Sequence, residues 1–192
     1  MTLARIVGSN SHLDYVARIA APGEGAAEAR VFGQFVRIEH AGETVVGVIY
    51  DSRLISPEFG GFGPRLQPRP ALEDFGQGSE RGKGVLIGII LLGTLGKERG
   101  GDHTLPGMVI PAGTDAELLS EDEMLRFHGL PGEMPEIGYY SRIVSHSGQF
   151  AGPLIESIIE RLKSHASPAA AARLDLVRQS INWQATVGGP HI

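Results

Sequence analysis

Residues 33–54 read Gly33-Gln-Phe-Val-Arg-Ile-Glu-His-Ala-Gly-Glu-Thr-Val-Val-Gly-Val-Ile-Tyr-Asp-Ser-Arg-Leu54. Phe35, Arg37 and Glu39 alternate with Val36, Ile38 and His40. Ala41-Gly42 then offers a turn, and Thr44 to Tyr50 supplies β-branched and aromatic residues around Gly47. This pattern specifies a β-hairpin with one amphipathic arm and one mostly apolar arm. A lone hairpin is marginal in water, so the pair must belong to a larger sheet or a small closed barrel.

Working outward, Ala4 to Val7 and Tyr15 to Ala20 read as two short strands, with Gly8-Ser-Asn-Ser11 as turn material. Ala21 to Arg30 has no strand period and is rich in small residues, which predicts a loop. Beyond the hairpin, Gly84-Val-Leu-Ile-Gly-Ile-Ile-Leu-Leu-Gly-Thr-Leu-Gly96 is too short to span a membrane and too rich in glycine and β-branched residues for a helix. It predicts a central buried strand whose glycines at 88, 93 and 96 permit the bends that close a small barrel. Lys97 to Thr104 reads as a polar turn, Gly107 to Gly113 as a brief strand, and Ile137 to Val144 as the last strand. The expected fold is mainly β: a small antiparallel β-barrel over 1–144 with a C-terminal pair of α-helices.

Helix signals cluster late in the chain. Ser120 followed by Glu123 forms a capping box ahead of a short helix. Leu154, Ile155, Ile158, Ile159 and Leu162 share one face of a helix starting near Pro153, with Glu156, Glu160, Arg161 and Lys163 opposite. Ser167-Pro168 opens a second helix carrying Leu174, Val177 and Ile181 in register. These two helices are expected to span 150–183 and pack on the barrel, leaving 184–192 as a tail.

Composition narrows the function classes. At 192 residues the chain holds one good core, or one domain with an added helical segment. A net charge of −5 with scattered Lys and Arg lacks the basic footprint of a nucleic-acid binder, which argues against direct DNA or RNA binding. Cysteine is absent, which excludes disulfide scaffolds, thiolate zinc sites and cysteine nucleophiles. The apolar run at the N-terminus is too short for a signal peptide and no stretch is long enough to span a membrane, so the expected location is cytoplasmic.

From Ser56 to Gly84 the chain holds seven glycines and four prolines with few apolar anchors, which predicts a long loop over 56–83. Loops of that length often serve a partner or ligand. Phe59, Phe62 and Phe75 are interleaved there with Arg65, Arg69 and Arg81, and aromatic anchors with arginines at the rim suit a partner-binding surface.

Several stretches that hint at catalysis have plainer readings. Gly78-Ser-Glu-Arg-Gly-Lys-Gly84 hints at a phosphate loop, but the earlier glycine would fall on Gln77 and Gly84 fills the Ser/Thr position. Seven histidines raise the possibility of a metal site, with Asp102-His103 the most ligand-like pair, yet no two lie at i, i+4. Ser145-His146-Ser147 pairs a hydroxyl with a base but lacks the glycine-flanked elbow of hydrolases. Glu121-Asp122-Glu123 reads as a solvated helix start. No catalytic, metal or cofactor residue is assigned.

Four fragments carry a resemblance to a known family: Arg5-Ile-Val-Gly8, Gly33-Gln-Phe-Val-Arg-Ile-Glu39, Val45-Val-Gly-Val-Ile49, and Leu105-Pro-Gly-Met-Val-Ile-Pro-Ala-Gly113 with the acidic helix and Pro135-Glu-Ile-Gly138 after it. In order and spacing these resemble the HAS-barrel domain, the small β-barrel of HerA-type DNA translocases and of the ATP synthase crown. Where such a translocase carries its phosphate loop, this chain has Ser145-His-Ser-Gly-Gln-Phe-Ala-Gly-Pro153, without a lysine. The resemblance implies a non-catalytic module for oligomerisation or docking of a protein partner, a homo-oligomer or an adaptor beside a DNA-processing ATPase or nuclease. Two other readings remain open: a small metal- or histidine-dependent enzyme using His103 or His146, and a nucleic-acid binder using the 56–82 loop.

Overall fold

The computed structural model describes residues 2–19, 31–55, 84–96, 100–130 and 135–187. Its strands are β1 (Thr2–Ser9), β2 (Asp14–Ile19), β3 (Phe35–His40), β4 (Glu43–Ile55), β5 (Gly84–Leu95), β6 (Gly101–Asp102) and β7 (Asp115–Leu118). They pair in the order β2-β1-β7-β3-β4-β5-β6, and a further β2–β5 ladder joins the ends. All ladders are antiparallel. The result is a closed six-stranded antiparallel barrel, with the two-residue β6 appended to the end of β5.

The hairpin stands where the sequence places it. His40 pairs with Glu43, and both turn residues, Ala41 and Gly42, have positive φ, as a two-residue turn matched to strand twist requires. Closure is achieved at the glycines of β5. The β4–β5 register shifts between Val46 and Gly47, opposite Gly93 and Leu91, and again between Ile49 and Asp51, opposite Ile89 and Gly88. These are the extra residues by which a sheet bends on itself. A Cβ on Gly93 would lie 2.0 Å from the Asp102 carbonyl oxygen, and one on Gly47 would lie 2.6 Å from Ile89 Cγ2. Only glycine permits these strands to approach so closely.

Two cores share the β3–β4–β5 wall. Inside the barrel Ile6, Tyr15, Val36, Ile38, Val45, Ile49, Ile87, Ile89 and Leu91 interdigitate with Ala4, Ala17 and Ala116. The other side of that wall, with Phe35, Val46, Val48, Ile90, Leu92 and Leu95, is covered by helices. These are α1 (Glu121–Phe127), α2 (Tyr140–His146), α3 (Ala151–Lys163) and α4 (Pro168–Val187). Burial on both faces is why β5 is an unbroken apolar run instead of an alternating one.

The capping box is present: Ser120 Oγ accepts from the Glu123 amide, and the Glu123 carboxylate accepts from the Ser120 amide. Ser167 Oγ accepts from the Ala170 amide at the start of α4.

Three expectations are corrected. Gly107 to Gly113 is not a strand. Its groups bond outside any ladder, Ile110 N–H to the Tyr15 hydroxyl and Gly113 N–H to Ile6 O, while Ile110 joins the interior cluster at the barrel's end. The strand is instead β7, which offers only Ala116 to the interior and so lacks an apolar pattern. Ile137 to Val144 is not a strand either. Tyr139 and Ile143, four apart and both buried, set a helical period, and α2 follows it. The β-barrel therefore ends at Leu118, short of 144. Finally, α4 runs to Val187, past the expected end at 183, and the remaining tail lies outside the described residues.

Gly101 sits against α1, where a Cβ would lie 2.2 Å from the Phe127 carbonyl oxygen. Gly93→Ala and Gly101→Ala are each expected to destabilise the protein by about 2 kcal/mol or more, because backbone must move in both cases. Gly107→Ala, where nothing lies within 4 Å, is the control and should leave the urea midpoint unchanged.

Candidate functional site

The most concentrated chemistry among the described residues lies where α1 and α2 meet the end of β5. The first turn after α1 carries His128, fully buried at 0% exposure. Its Nδ1 lies 2.7 Å from Met124 O and its Nε2 lies 2.6 Å from the Tyr139 hydroxyl. A carbonyl can only accept, so Nδ1 carries the hydrogen and Nε2 accepts from Tyr139 Oη. His103 is fixed in the opposite tautomer: Nε2 donates to Phe127 O at 2.9 Å and Nδ1 accepts from the Gly138 amide at 3.1 Å. The ring of His103 lies 4.5 Å from that of Phe127 and 5.1 Å from that of Tyr139, centroid to centroid. Arg142, from α2, donates to Leu92 O at 2.6 Å and to His103 O.

Both imidazoles are held neutral. Burial pushes His128 down to about 3 and lowers His103 as well. Burial raises the Tyr139 hydroxyl and lowers Arg142. Each ring nitrogen of the two histidines is occupied by backbone or by Tyr139, so the cluster joins helices to the barrel and leaves no nitrogen facing a substrate.

The other residues singled out in the sequence disperse. Asp102 turns away from a shared site with His103: its carboxylate accepts from the Thr104 amide at 2.8 Å, a bond that holds it below the usual carboxylate range. Among the described residues no group of three or more His, Asp or Glu could hold a metal ion. Ser145-His146-Ser147 does not form a nucleophile and base. Ser145 Oγ donates to Ser141 O, His146 Nδ1 donates to Arg142 O, and Ser147 is buried at the joint after α2. The stretch 145–153 passes from α2 through one 3₁₀ turn, Gly148–Phe150, into α3. It joins helix to helix, whereas a phosphate loop joins a strand to a helix. Phe59, Phe62, Arg65, Arg69, Phe75 and Arg81 lie outside the described residues. What the structure gives is the base of that segment, the directly paired Ile55 and Gly84.

On the outer barrel wall an open cleft of about 210 Å³ is lined by Arg37, Glu39, Asp115 and Glu117. Arg37 Nη1 donates to Glu123 at 2.6 Å and its Nη2 to Glu39. Arg5 Nε donates to Asp115 at 2.8 Å, which holds that carboxyl below its usual range. The wall thus carries the cross-strand pair Arg5–Asp115 and an arginine, Arg37, that bridges Glu39 on its own strand and Glu123 on α1, the ordinary dress of a solvated barrel face.

A family model described as "Domain of unknown function (DUF8166)" matches residues 1–190. The chain belongs to the DUF8166 family. No curated protein matches it. The match covers the barrel and α1 to α4 together, so the helices are part of the DUF8166 unit and not an appendage. Sequence reasoning missed His128 and Tyr139 as a pair. A histidine following a helix's last apolar residue and a tyrosine eleven residues on carry no spacing that announces a contact.

The neutral histidines make stability pH-dependent. An unfolded histidine titrates near 6.5. The folded-state value is depressed, so the contribution is complete above about 6.5 and is lost as pH falls from there toward 3. The urea midpoint of the DUF8166 chain should fall over that window. In His128→Gln the midpoint should start lower at neutral pH and fall less steeply. An identical slope in the variant would place the acid sensitivity elsewhere.

Proposed function

We propose that this chain is a non-catalytic module for self-association and docking of a protein partner, built on a barrel resembling the HAS barrel. The observation that carries the reading is the closed six-stranded barrel filled with aliphatic side chains and stiffened on one side by helices. A rigid plug of this kind suits a platform. Three of the four fragments that resemble the HAS barrel fall on β1, β3 and β4, in that order, and the fourth runs from the capping loop at 105–113 to the start of α2. The helix-to-helix joint at 145–153 stands where the resembled translocases carry their phosphate loop, which favours a role beside a motor over a role as one. The partner class proposed is a DNA-processing ATPase or nuclease, in the cytoplasm. Among the described residues no helix is long and apolar enough to cross a membrane.

Sedimentation equilibrium of the purified chain tests the reading directly. The expected mass is a multiple of the 20.4 kDa chain. A monomer at every concentration, with no partner recovered at stoichiometric amount, would overturn it. The same preparation is expected to show no ATP turnover, and measurable hydrolysis by the homogeneous chain would replace the docking reading with an enzymatic one.

A further inference from the structure

β4 outlasts its neighbour. Its last bonds toward the β3 side are Gly33 N–H to Ile49 O, 2.8 Å, and Ile49 N–H to Gln34 O, 3.0 Å. From Asp51 to Ile55 it continues against β5, pairing Asp51 with Gly88 through Ile55 with Gly84. Among the described residues no strand pairs with its other edge along this stretch. The edge is well exposed: the Arg53 side chain is 79% accessible and Leu54 81%. Unpaired strand edges are templates for further strands unless the chain blunts them. Among the described residues the Asp51 carboxylate occupies the first free donor of this edge. Asp51 accepts from the Ser52 amide at 2.8 Å and from Arg53 Nε at 3.0 Å.

We propose that the Asp51–Leu54 edge of β4 pairs antiparallel with the same edge of a second copy, about a two-fold axis at Ser52. The proposal rests on the self-association reading above and names its surface. The charge pattern selects this occupant. With Ser52 facing Ser52 of the second copy, Asp51 of each strand stands directly opposite Arg53 of the other, giving two cross-strand pairs of opposite charge. Sliding the pair by two residues either way sets Asp51 against Asp51, or Arg53 against Arg53, and like charges directly opposite are unfavourable. The incoming guanidinium also draws the Asp51 carboxylate off the Ser52 amide, which frees that donor for the new ladder. Such a contact is isologous and closes on itself, so it yields a dimer and not a fibre.

The test is charge exchange on the full chain, read by sedimentation equilibrium. Asp51→Arg places two cations on each edge and Arg53→Asp two anions. Each variant alone is expected to weaken self-association at least roughly tenfold, since two attractive rungs become repulsive. An equimolar mixture is expected to recover association near the wild-type strength as a mixed dimer. Either variant associating like wild type, or a mixture as weak as its components, overturns the proposal while leaving the docking module standing. A wild-type chain that is monomeric throughout removes both. Circular dichroism checks the fold, and because Arg53 is largely exposed, Arg53→Asp decides the matter alone should Asp51→Arg not fold.

Discussion

The structure depends on one wall, β3–β4–β5, being apolar on both sides. Val45, Ile49, Ile87, Ile89 and Leu91 fill the barrel, while Val46, Val48, Ile90, Leu92 and Leu95 of the same strands carry the helices. The buried side chains of these strands alternate between one core and the other, and the strands tie the two together mechanically. A barrel whose outer wall is this apolar could not stand alone in water, because contiguous exposed apolar surface invites association. The helices α1 to α4 are in that sense part of the barrel's own solubility. The opposite wall, β2, β1 and β7, needs no such cover. Its outward residues include Arg5, Asp115 and Glu117, with Arg37 and Glu39 on the adjoining β3.

Polar groups caught between the two cores explain the histidine cluster. Where β5 ends and α1 begins, the carbonyls of Leu92, His103 and Phe127 sit at a bulge, a loop and a helix end, while Met124 O already accepts from the His128 amide at 3.2 Å, and buried carbonyls must find partners. His103, His128 and Arg142 supply those donors. Tyr139 then satisfies the remaining nitrogen of His128. The perturbed titration of these groups follows from a structural task. Strongly shifted groups are often taken as pointers to catalysis, but that inference needs a cleft and a free nitrogen, and here each ring nitrogen is already bonded.

The chain closes its barrel, covers one end with the Pro106-to-Pro111 loop, and then turns from α2 through a single 3₁₀ turn into α3. A fold by itself does not fix an activity. What the architecture supplies is a closed barrel together with a stretch of β4 edge along which, among the described residues, no strand pairs.

Much of the fold was legible because it is local. The alternation of β3, the Ala41-Gly42 turn, the glycine-punctuated apolar run of β5, the capping box of α1 and the apolar stripe of α3 each announce their element without reference to the rest of the chain. The site residues chosen from composition, Phe59 to Arg81, rest on that segment's chemistry, and the structure describes only its base. β7 and α2 were not legible. Four residues with a single inward alanine become a strand only because β1 and β3 present unpaired edges on either side, and Tyr139 and Ile143 become a helical pair only because a core waits to receive both. The sequence by itself determined the hairpin, the buried central strand and the late helices, since short-range pattern suffices for them. Only the tertiary structure decided which strands close the barrel, the neutrality of His128 and the open edge at Ser52, because each depends on residues far apart in the chain meeting or failing to meet.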